Sequence, residues 1–176
     1  MSENQSLKVC VIGLGSMGLG VAGSLLRAGF DVVGCDVTDQ ARAGFSSLGG
    51  RVENTPAAAS NRADVIISVV VNAAQTDAVL FGPDGAASAA APGAVILSCA
   101  TMAPDAAREF EARAQALGLS YIDAPISGGA LRAAAGEMMI MASGAPAAFD
   151  KACPVLSCIA AKVYELGDAA GTGAAF

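Results

Sequence analysis

The stretch KVCVIGLGSMG, residues 8–18, places a short apolar run directly before the spacing G-x-G-x-x-G. The run predicts a strand over Lys8–Ile12, and the third glycine falls where a helix begins. In such a strand–turn–helix unit, Gly13 permits a tight turn, Gly15 lets a pyrophosphate approach the backbone, and Gly18 lets the helix pack closely on the strand. A glycine-rich turn without a ligand is the alternative. The predicted dinucleotide site comprises residues Gly13, Leu14, Gly15, Ser16, Met17 and Gly18.

Outward from this motif, short apolar runs alternate with helical stretches. Strands are predicted at Asp31–Cys35, Asp64–Val71, Ala94–Ser98, Ser120–Asp123, Met138–Met141 and Lys162–Leu166. Helices are predicted at Met17–Ala28, Asp39–Ser46, Gln75–Leu80, Asp105–Leu117 and Pro146–Val155, with a short one within Ala86–Ala91. Continuous apolar strands that alternate with helices predict an α/β fold. We expect a Rossmann-type doubly wound, mostly parallel sheet with helices on both faces.

Composition sets limits on the class of protein. The chain has 176 residues, 54% of them apolar, which predicts one domain with a sizeable core. A formal net charge of −6 argues against a nucleic-acid partner, which requires a basic face. The absence of His argues against a zinc site, and five Cys without a disulfide framework indicate a reducing compartment. Without a signal-peptide pattern or a long apolar span, we expect a cytoplasmic protein that does not enter membranes.

Asp36 follows the second predicted strand, where a carboxylate accepts hydrogen bonds from both hydroxyls of an adenosine ribose. A carboxylate there repels a 2′-phosphate, and the next residues, Val37 and Thr38, supply no arginine to bind one. The sequence therefore favours NAD over NADP as the cofactor, with Asp36 and Val37 at the adenosine end. The alternative is that Asp36 caps the following helix, which does not exclude the ribose role.

Polar residues also follow other predicted strands, at the sheet edge where open α/β folds bind ligands. We assign Asn72 and Thr101 to the cofactor site, although Thr101 also suits a cap for the next helix. In the segment DAPISGG, the Ser127 hydroxyl and the backbone N–H groups of Gly128 and Gly129 predict a nest for a small carboxylate substrate. An ordinary turn is the alternative for this segment.

These motifs resemble those of the β-hydroxyacid dehydrogenases related to 3-hydroxyisobutyrate dehydrogenase. The family's substrate-loop signature, D-A-P-V-S-G-G-x-x-x-A-x-x-G, matches Asp123 to Gly136 with Ile126 in place of Val, and the resemblance extends over the chain from about Leu7. It implies NAD on the glycine-rich loop and Asp36, and Thr101 beside the nicotinamide. It also implies a small hydroxy-acid substrate at Ser127–Gly129. The stretch SGGALRAAAGEMMIMASG and the later KVYEL most resemble family members that oxidise a four-carbon sugar acid, L-threonate.

The family's catalytic lysine lies in a G-x-G-x-x-x-K motif at the start of an all-helical C-terminal domain. The segment GTGAAF, residues 171–176, matches this motif up to the position before the lysine. The lysines of this chain, Lys8, Lys151 and Lys162, lie outside the predicted site loops, and there is no His. We therefore expect residues 1–176 to form the NAD-binding domain, with no catalytic residue and no turnover alone. The resemblance also implies a homo-oligomer for the full-length protein.

Other functions fit the sequence less well. Oxidation of 3-hydroxyisobutyrate and reduction of glyoxylate or succinic semialdehyde are alternatives within the family, but the reductases are expected to carry an arginine after the second strand. A 6-phosphogluconate substrate would require more cations than Arg132. A non-catalytic dinucleotide-binding module would explain the missing base but not the substrate loop. A methyltransferase would explain neither that loop nor the third glycine.

Overall fold

The computed structural model describes residues 7–176, which form alternating strands and helices. The strands are β1 Lys8–Ile12, β2 Asp31–Cys35, β3 Arg51–Glu53, β4 Val65–Ser68, β5 Val95–Ser98, β6 Ser120–Asp123, β7 Ile126–Ser127, β8 Met138–Gly144 and β9 Ala160–Glu165. The helices are α1 Ser16–Arg27, α2 Asp39–Ser47, α3 Pro56–Ala59, α4 Ala73–Phe81, α5 Pro104–Ala116, α6 Gly129–Ala135, α7 Pro146–Ile159 and α8 Thr172–Ala175. Within these residues, no helix has the length and apolar character needed to span a bilayer.

The sheet has the order β3-β2-β1-β4-β5-β6-β8-β7, with β9 paired to β8. Strands β1 to β6 are all parallel. Strand β8 runs antiparallel to β6 and β7, and β9 is parallel to β8. The predicted α/β class with a mostly parallel sheet is confirmed. Because strand order reverses between β1 and β4, the carboxyl ends of these two strands form the crevice where such folds bind ligands.

Both faces of the sheet are covered, which explains why its strands are continuously apolar. Ile66 and Ile67 are neighbours on β4 and both are 0% exposed, one in each of two separate core clusters. Helices α1 and α7 contribute Leu25 and Leu156 to one cluster, and α5 contributes Phe110 to the other. The buried thiols of Cys10, Cys35 and Cys99 belong to these clusters.

Several predicted boundaries are wrong. The strand predicted over Asp64–Val71 ends at Ser68, and the apolar residues after it leave the sheet. The helix predicted within Ala86–Ala91 is a single 3-10 turn, Ala86–Ser88. The segment DAPISGG, residues 123–129, interpreted as a nest or a turn, contains β7, and α6 begins at its last residue, Gly129. Strand β7 forms because Ile126 pairs with Ile140 on β8, a long-range contact that local sequence does not reveal.

Candidate functional site

The glycine-rich loop connects β1 to α1 as predicted, and a side chain would meet different surroundings at each of its three glycines. Gly13 has φ 92°, and a Cβ there would lie 2.2 Å from the carbonyl oxygen of Val69 on the adjacent segment. A Cβ on Gly18 would lie 1.7 Å from the carbonyl oxygen of Gly13, so α1 packs directly on the loop. A Cβ on Gly15 would meet no atom within 4 Å. The loop thus leaves space at Gly15, at the N-terminus of α1, where a pyrophosphate would approach.

Asp36 connects the end of β2 to this loop. Its Oδ2 accepts a hydrogen bond from the N–H of Leu14 at 2.8 Å, and its Oδ1 accepts from the N–H and hydroxyl of Thr38 at 2.8 and 3.0 Å. The cap of α2 is Thr38, whose hydroxyl accepts from the N–H of Ala41 at 3.3 Å. The alternative that Asp36 caps this helix is therefore wrong. Its carboxylate instead contacts the glycine-rich loop Gly13–Gly18, called the phosphate loop below, through the N–H of Leu14. This position is compatible with the ribose role.

The electrostatics of Asp36 favour its ionised form. Partial burial alone would raise the pKa of Asp36, but the hydrogen bonds from Thr38 and Leu14 and the charge of Arg42 outweigh it, so the pKa is lowered. Arg42 Nη1 donates to the backbone carbonyl of Asp36 at 2.5 Å, and its other amino group pairs with Asp39. The two residues after Asp36 contain no cation, but Arg42 lies six positions after Asp36 and returns to it because it stands in the first turn of α2. Arg42 is already engaged by two acceptors.

A cavity of about 420 Å³ lies between the end of β2 and the segment after β4. Asp36 and Val37 line it together with Val71, and these two valines are 93% and 75% exposed. Such exposed apolar side chains around a cleft suit the flat face of an adenine. Sequence reasoning missed several of its lining residues, namely Asn54, Val69, Val70, Val71, Gln75 and Val79. The length of the apolar run after Asp64 could have indicated that its last residues leave the sheet, since strands are commonly shorter.

Two of the predicted cofactor residues lie elsewhere or have other contacts. Asn72 does not line this cavity; its side chain caps α4 by accepting from the N–H of Gln75 at 2.9 Å. Asn72 follows the end of β4, at Ser68, by a short segment. Thr101 is exposed beyond β5, and the residue at the cap position of α5 is Ala103, which makes no side-chain cap bond. The alternative of Thr101 as a helix cap is therefore wrong.

The substrate-loop signature, Asp123–Gly136, runs from the end of β6 through β7 into α6, which packs against α1. Gly128 and Gly129 have φ 139° and 74°, and Ser127 to Gly129 are exposed at the start of this helix. The Ser24 hydroxyl of α1 donates to the carbonyl oxygen of Ala133 at 2.9 Å. A Cβ on Gly20 would lie 2.6 Å from the backbone nitrogen of Ala134. The later part of the signature therefore has a structural role, because it holds α6 on the helix that begins at the phosphate loop.

The lysines of the chain make contacts away from these features. Lys8 Nζ donates to the carbonyl of Asn61 at 2.7 Å, and Lys151 Nζ donates to the carbonyl of Gly93 at 2.8 Å. Lys162 lies over the ring of Tyr164. None of the three lines the 420 Å³ cavity. Among residues 7–176, the structure brings the phosphate loop and Asp36 together but places no lysine beside them.

Comparisons with known proteins point to one family. A model of the NAD binding domain of 6-phosphogluconate dehydrogenase matches residues 8–167. The L-threonate dehydrogenase of Cupriavidus necator is 49% identical over 168 residues, which are 96% of this chain and 57% of that protein. The L-threonate dehydrogenase of Pectobacterium atrosepticum is 40% identical over 175 residues, or 99% of this chain and 58% of that protein.

Among solved structures, the fold is similar to a crystal structure of 3-hydroxyisobutyrate dehydrogenase from Salmonella typhimurium. The two superpose with a TM-score of 0.92 at 41% identity, covering 97% of this chain and 59% of that one. The chain thus spans under two thirds of the length of the relatives it matches.

Proposed function

The chain belongs to the NAD-binding domain family of the β-hydroxyacid dehydrogenases, and on that premise we propose that it is the cofactor-binding part of an L-threonate dehydrogenase. The observation that carries the redox assignment is the Asp36 carboxylate, held by the N–H of Leu14 beside the open space at Gly15. This arrangement fits a ribose diol next to a pyrophosphate. The 49% identity to a named L-threonate dehydrogenase supports the choice of substrate.

The residues present fit NAD on structural grounds. The open space at Gly15 would be filled by a Cβ and suits a phosphate, while the valines of the neighbouring cavity suit the adenine. Asp36 would accept the ribose hydroxyls, with Val37 beside the base. By resemblance to the family, Thr101 would lie beside the nicotinamide, and Asn72 would also contribute to the cofactor site. When bound, the cofactor accepts the hydride that leaves the substrate carbon.

The substrate carboxylate would be held by the Ser127 hydroxyl and by the backbone N–H groups of Gly128 and Gly129. Gly128 and Gly129 have φ angles of 139° and 74°, and both are exposed at the start of α6, where their N–H groups are accessible to a ligand. Oxidation of an alcohol also needs a base for the hydroxyl proton. We propose that a lysine following Phe176 supplies it, because Lys8, Lys151 and Lys162 are bound elsewhere. The full-length protein would act as a homo-oligomer.

A turnover screen tests this proposal on protein expressed with the coding sequence that follows Phe176. L-threonate, 3-hydroxyisobutyrate and glyoxylate are each offered with NAD and with NADP in the appropriate redox state. We expect NAD-dependent oxidation of L-threonate, and no turnover by residues 1–176 alone, although these should bind NAD. Turnover by the short chain within about tenfold of the long one would place the base inside residues 1–176, since general-base catalysis contributes about 10²–10⁴ in rate.

A second substrate is favoured by one observation. The similar Salmonella structure carries the name 3-hydroxyisobutyrate dehydrogenase at 41% identity. If the long protein oxidises 3-hydroxyisobutyrate and ignores L-threonate, the substrate assignment is wrong and the family assignment stands. Tighter binding of NADP than of NAD would overturn the ribose role of Asp36.

A further inference from the structure

The short helix α8 is fixed to the sheet by side chains from distant segments. Asp123 Oδ2 accepts hydrogen bonds from the N–H groups of Gly171 and Ala174, at 3.2 and 2.6 Å. The Ser143 hydroxyl accepts from the N–H of Gly173 at 2.9 Å. The first N–H groups of any helix lack partners within the helix, so Asp123 and Ser143 act as a cap supplied by strands β6 and β8.

The two glycines of this segment allow the close approach. Gly171 has φ 106°, a left-handed conformation that favours glycine. A Cβ on Gly173 would lie 2.6 Å from the carbonyl oxygen of Met141 and 3.0 Å from that of Asp123. The turn therefore lies directly on the backbone of β6 and β8, and a side chain at Gly173 would separate them.

Asp123 is an unusual residue to find at this depth. Both Asp123 and Ser143 are 0% exposed. Burial raises the pKa of Asp123, although the hydrogen bonds from Ala174 and Gly171 offset part of this effect. A buried carboxyl group is costly unless hydrogen bonds compensate it. Its Oδ2 accepts two hydrogen bonds, both from the turn at Gly171–Ala174, whereas its buried Oδ1 has no partner among the described residues. The turn therefore supplies the hydrogen bonds that this carboxyl group makes, which points to the turn as the reason for the residue.

Asp123 also begins the substrate-loop signature. Ala124 and Pro125 separate it from β7, and Ser127 follows at the end of that strand. One side chain thus connects the strand that leads into the substrate loop with the G-x-G turn near Phe176. Neither the carboxylate nest nor the phosphate loop uses this side chain.

We propose that Asp123 is a positioning residue that clamps the Gly171–Ala174 turn to the carboxyl edge of the sheet. The clamp fixes the direction in which the chain leaves α8 relative to Ser127, Gly128 and Gly129. Its catalytic consequence rests on the proposed function, because it concerns a base that follows the turn. The contact between Asp123 and the turn does not depend on the proposed function, and a separate experiment measures it.

Hydrogen exchange of the Gly171, Gly173 and Ala174 amides measures the clamp directly on residues 1–176. Asp123→Ala should speed exchange at Gly171 and Ala174 by at least about tenfold, because both amides lose their acceptor. Asp123→Asn keeps an acceptor oxygen and should restore most of the protection. Thr172→Ala is the matched control, since its side chain is exposed within the same turn, and should leave exchange unchanged. NAD affinity should stay within about twofold in all three variants, as the phosphate loop is untouched.

Unchanged protection in Asp123→Ala, or equal loss in Asp123→Asn and Asp123→Ala, would overturn the clamp. Should Asp123→Ala fail to fold, Gly173→Ala tests the same contact from the other side and should release the turn while Asp123 is kept.

The catalytic consequence is tested on the protein that continues beyond Phe176. Asp123→Ala should lower kcat more than it changes KM for NAD, and Asp123→Asn should recover part of kcat. If Asp123→Ala releases the turn without any change in kcat, the positioning role is wrong. If no hydroxy acid is oxidised even by the unmodified protein, the proposed function fails, and the exchange data alone decide the clamp.

Discussion

Gly15 and Gly18 differ in what a methyl group would meet, and this separates stability from cofactor binding. Gly18→Ala places its methyl 1.7 Å from the Gly13 carbonyl oxygen, so α1 must move. Gly15→Ala meets no protein atom, and φ −64° suits alanine. We expect Gly18→Ala to lower the unfolding temperature by about 5 °C or more. Gly15→Ala should leave it nearly unchanged but weaken NAD binding by at least about tenfold, because the methyl occupies the phosphate space. Calorimetry measures the unfolding temperatures and a titration measures the NAD affinity. Equal losses of stability in Gly15→Ala and Gly18→Ala would contradict the different roles of the two glycines.

The charge of Asp36 should set the choice of cofactor. Asp36→Ser removes the repulsion of a 2′-phosphate and leaves Arg42 nearby, so the preference for NAD over NADP should shrink by at least about tenfold. Asp39→Asn is the matched control: it removes a charge that also contacts Arg42 but does not reach Leu14. Because the pKa of Asp36 is lowered, its carboxylate is ionised at neutral pH, where the 2′-phosphate of NADP is mostly a dianion, so the titrations are made there. Parallel titrations of both cofactors test this, and an unchanged ratio in Asp36→Ser would refute it.

At the scale of elements, the sequence predicted what local patterns encode and missed what distant contacts stabilise. Strand β1 and helix α1 were predictable because an apolar run and a glycine motif mark them. Helices α6 and α8 were not, because each has seven residues or fewer and depends on acceptors or donors elsewhere, such as Ser24 and Asp123. The carboxylate that we propose for the ribose, Asp36, could be predicted from its position after β2. The valines that line the cavity, Val69–Val71, could not be predicted, because they lie within an apolar run that resembled a longer strand.

Packing of α6 on α1 should be sensitive to the size of residue 20. Gly20→Val adds atoms where even a Cβ would lie 2.6 Å from the Ala134 backbone nitrogen, so α6 must shift. We expect faster hydrogen exchange throughout α6 and a loss of about 2 kcal/mol or more in the free energy of unfolding. Gly44→Ala on α2 is the matched control, since the nearest atom to its Cβ is the Leu19 Cδ2 at 3.7 Å. That variant should be neutral or more stable, because alanine favours helix. Normal protection of α6 in Gly20→Val would rule out the close contact.

At the scale of the whole molecule, we expect the buried thiols to lower the free energy of unfolding at alkaline pH. Burial raises the pKa of Cys35 to about 11 and that of Cys99 to about 12. The unfolded chain ionises these thiols near pH 9 and the folded chain does not, so their stabilisation is full below pH 9 and falls as pH rises toward the folded values. We expect a loss of about 1 kcal/mol per thiol for each pH unit above 9. Urea unfolding between neutral pH and about pH 11 measures it. The double variant Cys35→Ala/Cys99→Ala should lose less of its free energy of unfolding as the pH rises above 9. If the free energy of unfolding falls as steeply with pH in the variant as in the unmodified protein, the explanation is wrong.

The contact between α6 and α1 also decides which piece of this protein could be moved into a related chain with its geometry intact. A graft that runs from Asp123 to Gly136 would carry Ala133 but leave behind Gly20 and Ser24, the surface that receives it. In a host with a larger residue in place of Gly20, the grafted helix would have no room and its loop would point elsewhere. The transferable unit is therefore a pair of helices joined across the fold, and a chimera that exchanges both is the one expected to keep its geometry.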